Sequence, residues 1–180
     1  MKFREVSKEA VFAVDETVTL TSADIPAVKA RCHETVKKRS RICAHRSEQD
    51  ELHDMILALA HGTYIRPHKH PWSTESGHVI EGESDLYLFD DSGAVTTIIE
   101  LGEYRSERVF FFRQSDPVYH TQIVRSETFV MHEVILGPFD KSKMVYADWA
   151  PEEDDEAEAR AFMQKLARGQ INMDTVIVRP

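Results

Sequence analysis

The sequence has only two cysteines, Cys32 and Cys43. That is too few for a disulfide scaffold, and both read as free thiols of a reducing compartment. A long apolar run is also missing. The opening stretch MKFREVSKEAVFAV is broken by charges, so neither a secretory signal nor a membrane span is expected, and the chain reads as cytoplasmic. Positive charge is scarce: 22 Lys and Arg stand against 31 Asp and Glu, for a net charge of −9. Six of the acids fall at residues 152–158 with no base among them, which leaves about −3 for the remainder. A nucleic-acid partner needs a basic footprint, so none is expected. The chain has no internal repeat and no DNA-binding segment, and neither cysteine has a base at a spacing that would make it a nucleophile.

What is present suits one domain with a full-sized core, since 42% of the 180 residues are hydrophobic. Ala10 to Val14 reads as a short strand. Ala23 to Arg39 reads as a helix, with Ser22 as N-cap and Ile25, Val28, Cys32 and Val36 at helical spacing. From Leu52 the period changes. Leu52–Leu59, Glu75–Ile80, Asp85–Phe89, Val95–Leu101, Val109–Phe112, Tyr119–Val124 and Thr128–Leu136 are short β-branched or aromatic runs separated by turn residues. Near-regular spacing of such runs predicts an antiparallel sandwich or small barrel, with Asp90-Asp91-Ser92-Gly93 as its clearest hairpin turn. After Trp149 an acidic stretch leads into a helix at Ala157–Arg168, with Ala159, Phe162, Met163 and Leu166 on one stripe and Gly169 as C-cap. Thr175–Val178 reads as a terminal strand. The expected organisation is one structural domain: residues 1–50 as strand and helix elements packed on the barrel, 51–150 as the barrel, and 151–180 as acidic linker, helix and strand. The apolar terminus is expected to pack on the barrel or on a second subunit, as an added or swapped edge strand of a homodimer.

The chemistry concentrates between Gly62 and Gly82. His68 and His70 share a face in an extended strand while Lys69 points away. Pro67 and Pro71 place the pair at a strand end or bend, and the four residues Pro71–Thr74 can turn the chain so that Glu75 meets the same point. Two imidazoles and a carboxylate form the ligand set of non-haem iron enzymes and of many zinc, manganese or nickel sites.

The spacing Gly62-x5-His68-x-His70-x4-Glu75-x6-Gly82 resembles the first motif of the cupin superfamily in all five of its fixed positions. A wider resemblance, to the WbuC family of cupin-fold metalloproteins, runs from about residue 38 to 153 through GTYIRPHKHP at Gly62–Pro71, DLYLFDDSGAV at Asp85–Val95 and EVILGPFDKSKMVYADWAPEE at Glu133–Glu153. The resemblance implies a mainly β cupin fold, a jelly-roll-like double-stranded β-helix, here with an N-terminal helix and a C-terminal helical extension. It also implies a third histidine from a second motif, and His120 in DPVYHTQIV stands in that place. This second motif departs from the usual P-x-G-x2-H pattern, with Ser115-Asp116-Pro117-Val118-Tyr119-His120 and no glycine at the turn. His68, His70, Glu75 and His120 are thus the expected ligands of a divalent iron, zinc, manganese or nickel ion, with two or three positions of an octahedral ion left open.

Strand alternation extends the site. Tyr64 and Arg66 share parity with His68 and are expected to face the substrate. Arg66 offers a fork for a carboxylate or phosphate, or else pairs with a barrel acid such as Glu133. Gln122 lies on the His120 face, as a ligand-binding amide or a satisfied barrel amide. The basic run Lys37, Lys38, Arg39 and Arg41 closes over an anionic substrate or is a solvated helix end. Trp72 is placed at the pocket mouth, while His78 and His132 face away. The expected function is a metal-dependent isomerase, epimerase or dioxygenase with Glu75 moving a proton, acting on a small anionic molecule or sugar. The WbuC resemblance implies a link to surface polysaccharide biosynthesis. The alternative is a non-catalytic cupin that binds or senses a small ligand.

Overall fold

A computed structural model describes residues 2–171 and 173–179. The chain begins with a hairpin of β1 (Phe3–Ser7) and β2 (Ala10–Ala13), followed by helix α1 (Ile25–Glu34) and β3 (Arg39–Cys43). Eight strands then follow closely: β4 (Leu52–Ala60), β5 (His68–Lys69), β6 (Glu75–Glu81), β7 (Ser84–Phe89), β8 (Val95–Leu101), β9 (Phe111–Gln114), β10 (Tyr119–Val124) and β11 (Thr128–Leu136). After these come β12 (Val145–Tyr146), helix α2 (Glu156–Ala167) and β13 (Met173–Val178).

The strands form two sheets, one ordered β1-β2-β3-β4-β11-β6-β9 and one ordered β12-β5-β10-β7-β8-β13. Alternation decides what each face meets. Leu57, Leu59, Phe129 and Met131 from the first sheet and Leu86, Leu101 and Val124 from the second form one core cluster between the sheets. Burying a side chain such as Phe129, 0% exposed, contributes about 2–3 kcal/mol. The opposite parity of the first sheet, with Ile42, Ala58 and Val130, packs under α1 through Val28 and Cys32. On the second sheet Tyr87, Phe89 and Ile123 turn outward, where Leu166, Phe162 and Met163 of α2 and the ring of Trp149 cover them.

Several elements differ from the sequence reading. The first helix starts at Ile25 with Asp24 as its N-cap residue, and ends at Glu34. The Asp24 carboxylate accepts from Thr21 N at 2.7 Å and from Thr21 Oγ1 at 3.0 Å, so it shapes the turn before the helix. Thr35 leaves the helix in an extended conformation; its hydroxyl stands 3.0 Å from both Cys32 O and Arg39 N. Lys38 takes a positive φ of 54°, and the chain reverses into β3. Val36 is therefore 89% exposed and lies off the helical stripe. The sheets are mixed, because β2 pairs β3 and β13 pairs β8 in parallel. The run at Val109 becomes a strand only from Phe111, while Val109 itself makes an isolated bridge to Leu101. β13 lies at the edge of the second sheet within the same chain, with Val176 and Ile177 65% and 47% exposed.

The two glycines that bracket the histidine motif both need their left-handed backbone, Gly62 at φ 78° and Gly82 at φ 84°. A Cβ at Gly82 would also overlap the Thr128 carbonyl oxygen and Ser126 Oγ. Gly82→Ala is accordingly expected to destabilise the fold by about 1–3 kcal/mol, read as a lower urea midpoint at unchanged m-value; an unchanged midpoint would contradict this account of the turn.

Candidate metal centre

Three separate strands deliver the motif to one point. His68 stands opposite His120 of β10 and opposite Tyr146 of β12. Glu75 opens β6, between Ile135 of β11 and Gln114 of β9. His70 lies just past β5, where Ser73 N donates to its carbonyl at 3.2 Å and Ser73 Oγ donates to Leu136 O at 2.7 Å. These bonds hold the turn that swings the chain from one sheet to the other.

Nitrogen atoms of His68, His70 and His120 all lie within 4.8 Å of one another. The Glu75 carboxylate is wedged between two of the rings, with Oε1 3.2 Å from His120 Nε2 and Oε2 3.5 Å from His70 Nε2. Nδ1 of His68 is 2.9 Å from Arg66 O, and Nδ1 of His120 is 3.0 Å from Val118 O. In each case the carbonyl two residues upstream accepts the Nδ1 proton and leaves the Nε2 lone pair for the cluster. Gln114 Nε2 stands 3.0 Å from the same Val118 carbonyl and 3.1 Å from His120 Nδ1; with Nδ1 protonated, the amide bonds the carbonyl alone. Gln114 Oε1 and His70 Nδ1 are buried without a partner.

Burial sets the protonation states. It pushes His68 and His70 down to about 3, with neighbouring imidazoles adding to the effect. His68 as a whole residue is partly exposed, but its ring is enclosed among His70, His120 and Tyr146. His120 is lowered too, again by burial. The carboxyl of Glu75 is pushed up by burial, and Glu133 is raised by burial and then by the charge of Glu75. The donor set fits a divalent cation: three imidazoles that stay neutral and a buried carboxylate with no cationic side chain against it.

The other expected site residues fall elsewhere. Residues 63–67 have no regular structure, so strand alternation does not carry Tyr64 and Arg66 toward the cluster. Tyr64 Oη donates to Pro151 O at 2.8 Å. Arg66 pairs with Glu152, not Glu133, and its Nη2 donates to Ala147 O at 2.9 Å while the guanidinium lies over Tyr146. Gln122 is a buried amide that accepts from Ser84 Oγ at 3.3 Å, with its Nε2 3.8 Å from Met131 Sδ. The basic run is no helix end: Lys37 and Arg39 both bind Glu153, at 2.8 and 3.1 Å. Trp72 stands edge-on to His70, with centroids 5.7 Å apart. His78 is exposed, and His132 pairs with Asp54 at 3.1 Å. Tyr146, whose ring is 6.1 Å from that of His68, and Gln114 escaped the sequence reading; Tyr146 occupies a two-residue strand with no periodic signal. Two surface hollows of about 330 and 510 Å³ lie along α1 and share no residue with the cluster.

The profile of a domain of unknown function (DUF6016) matches residues 20–101, a span that includes His68, His70 and Glu75 but stops short of His120. No curated protein matches the sequence. Among solved structures, protein SO0799 of Shewanella oneidensis superposes with a TM-score of 0.51 at 14% identity, over 71% of this chain and 85% of that one. An oxalate oxidase in complex with glycolate gives 0.47 at 15% identity, over 63% of this chain. A mutant of Bacillus subtilis oxalate decarboxylase gives 0.46 at 17% identity, over 60%. The chain spans 57% of that oxidase and 27% of that decarboxylase. The fold is that of the cupins. In this cupin fold the histidine cluster lies between the two sheets, where β5 and β10 face β6.

The segment from Tyr146 to Glu153 crosses the mouth beside the cluster, held by Ala147 N on Pro67 O at 2.9 Å and by the Tyr64, Arg66, Lys37 and Arg39 contacts. Burial works to raise the Glu153 carboxyl, but hydrogen bonds from Lys37 and Arg39 and their charges outweigh it and hold it below its ordinary 4.5. A depressed carboxylate stabilises the folded latch above its unfolded value and stops doing so as the pH falls through the folded one. Limited proteolysis within 147–155 should therefore rise as the pH falls below the ordinary carboxylate value of 4.5 and through the lowered one of Glu153, and Glu153→Gln should show the same sensitivity at pH 7; equal cleavage of variant and parent would exclude the latch. At the cluster itself, His68→Ala and His70→Ala are expected to lose stoichiometric divalent metal, measured by plasma mass spectrometry, while a Trp72→Ala control retains it.

Proposed function

We propose that the chain is a metal-dependent enzyme of the isomerase, epimerase or dioxygenase kind acting on a small molecule, with His68, His70, Glu75 and His120 holding one iron, zinc, manganese or nickel ion. The observation that supports this most is the convergence of three neutral imidazoles within 4.8 Å of one another, with the buried Glu75 carboxylate bridging His70 and His120 at 3.5 and 3.2 Å. An ion bound there would supply Lewis acidity toward a carbonyl or hydroxyl, or a place for dioxygen if it is iron. The protein's own part is to exclude water and to move protons. Burial raises the Glu75 carboxyl, whereas a bound cation would hold it as the carboxylate, the form that can accept a proton from a substrate. The Arg66 and Glu153 contacts hold the 146–153 crossing in place, and Tyr146 and Trp72 wall the rings of His68 and His70.

Finer readings rest on the sequence resemblance. Under the WbuC-like reading the substrate is a carbohydrate-related or anionic small molecule used in polysaccharide biosynthesis in the cytoplasm, with Tyr64, Arg66 and Gln122 serving the site indirectly through the contacts above. The exposed apolar residues of β13 support a homodimer.

The test is metal identification in the purified protein, followed by oxygen uptake and isomerisation assays on a panel of sugars and small acids. Turnover is expected, with Glu75→Gln lowering it by about 10²-fold or more. A fully loaded protein that is inert across the panel would favour the alternative, a cupin that only binds or senses its ligand.

A further inference from the structure

We infer that Gln114 is a positioning residue for His120: its amide closes the loop between β9 and β10 and holds the carbonyl that receives the His120 Nδ1 proton. The inference rests on the metal-centre reading and goes beyond it by naming what aims the ligand from the second motif. It begins with the irregularity of that motif. Ser115, Asp116, Pro117 and Val118 carry the chain from the edge of the first sheet into the second with no glycine among them. A side chain closes this loop. Gln114, the last residue of β9, donates from Nε2 to Val118 O at 3.0 Å, just before β10 begins. The reverse amide orientation would set two oxygens against each other at that distance, so the N–H side faces the loop.

The carbonyl held in this way is the one that stands 3.0 Å from His120 Nδ1. It therefore gathers two N–H groups, one from the end of β9 and one from the imidazole. The corresponding carbonyl for His68 is that of Arg66, and backbone acceptors on both sides of it are braced: Ile65 O by Thr121 Oγ1, and Pro67 O by Ala147 N at 2.9 Å. Val118 has no such brace. It precedes the strand, its N–H donates within the loop to Asp116 O at 2.9 Å, and among the described residues the hydrogen bond that ties its carbonyl to the first sheet is that of Gln114. Gln114 also stands opposite Glu75 on β6. The same bond thus fixes His120 relative to the strand that carries the carboxylate, whose Oε1 is 3.2 Å from His120 Nε2. Gln114 Oε1 is buried without a partner, an unfavourable state that an apolar side chain of similar length would avoid. What the amide contributes is therefore its N–H. Groups that orient a metal-binding imidazole act on metal affinity through the ring's aim and tautomer.

The test uses the full chain with Zn²⁺, comparing the parent with Gln114→Met, which loses the amide, and Gln114→Asn, whose amide is one methylene too short to reach Val118. Leu166→Ala, in the packing of α2 away from the centre, serves as a control for lowered stability. Zn²⁺ affinity is measured by chelator competition, and exchange of the ring Nδ1 protons by NMR of histidine-labelled protein. Both Gln114 variants are expected to bind Zn²⁺ about 10–100-fold more weakly. Their His120 Nδ1 proton should exchange at least tenfold faster, with that of His68 unchanged. Leu166→Ala should lower the urea midpoint and leave both readouts at the parent's values. Unchanged Zn²⁺ affinity in the Gln114 variants, equal acceleration at His68 and His120, or an equal loss of affinity in Leu166→Ala would overturn the positioning role and leave the metal reading intact. Failure of the parent to take up Zn²⁺ or another divalent ion would overturn the metal reading and this inference with it.

Discussion

Glu75 is a carboxylate at the inner end of β6, 7% exposed, touching two imidazoles and no cation. Removing such a group from water costs several kcal/mol unless it is neutralised or paired, and the surrounding architecture is arranged around that cost. His120 is placed by its register with His68, and both rings have their second nitrogen committed to a backbone carbonyl. The cluster therefore presents several Nε2 atoms and one carboxylate to a common point, with the half-buried Glu133 as a second acid near Glu75. A cation at that point would satisfy what the chain's own side chains leave unmatched.

The rest of the molecule keeps this arrangement rigid and dry. Alternation along β4 and β11 divides their side chains between the inner core and the underside of α1, and the outward residues of β7 and β10 are covered by α2. Both helices therefore pack on outer faces and leave the interior to the barrel. The crossing at 146–153 draws on basic residues from two places, Lys37 and Arg39 before and at the start of β3 and Arg66 from the approach to β5. Those charges bind the acidic stretch of the same chain, which is why so acidic a segment lies against the barrel instead of extending into solvent.

Much of this was legible in one dimension. The strands β4 and β6 to β11 followed from β-branched and aromatic runs, and Val95–Leu101, Tyr119–Val124 and Thr128–Leu136 agree with the structure at both ends. The His68, His70 and Glu75 grouping followed from motif spacing because all three ligands lie within eight residues, so local geometry alone brings them together. Other features were not legible. β1, β5 and β12 are short or polar, and their pairing depends on what lies beside them. The helix was read too long because Val36 continues its period, and nothing local announces that β2 and β4 require a strand at Arg39–Cys43. Tyr64 and Arg66 were read toward the site by alternation, a rule that holds only where backbone is paired, and residues 63–67 are not.

The sequence by itself determined the barrel class, the turn positions and the chemistry of the ligand set, since these depend on periodicity, glycine conformation and residue type within a short span. Tertiary structure decided which charges are spent on holding the fold together. Arg39 and Arg41 are two residues apart on one strand, yet one is bound to Glu153 and the other is exposed. That difference arises from a segment more than a hundred residues away, and electrostatic pairing over such a separation has no signature in local sequence.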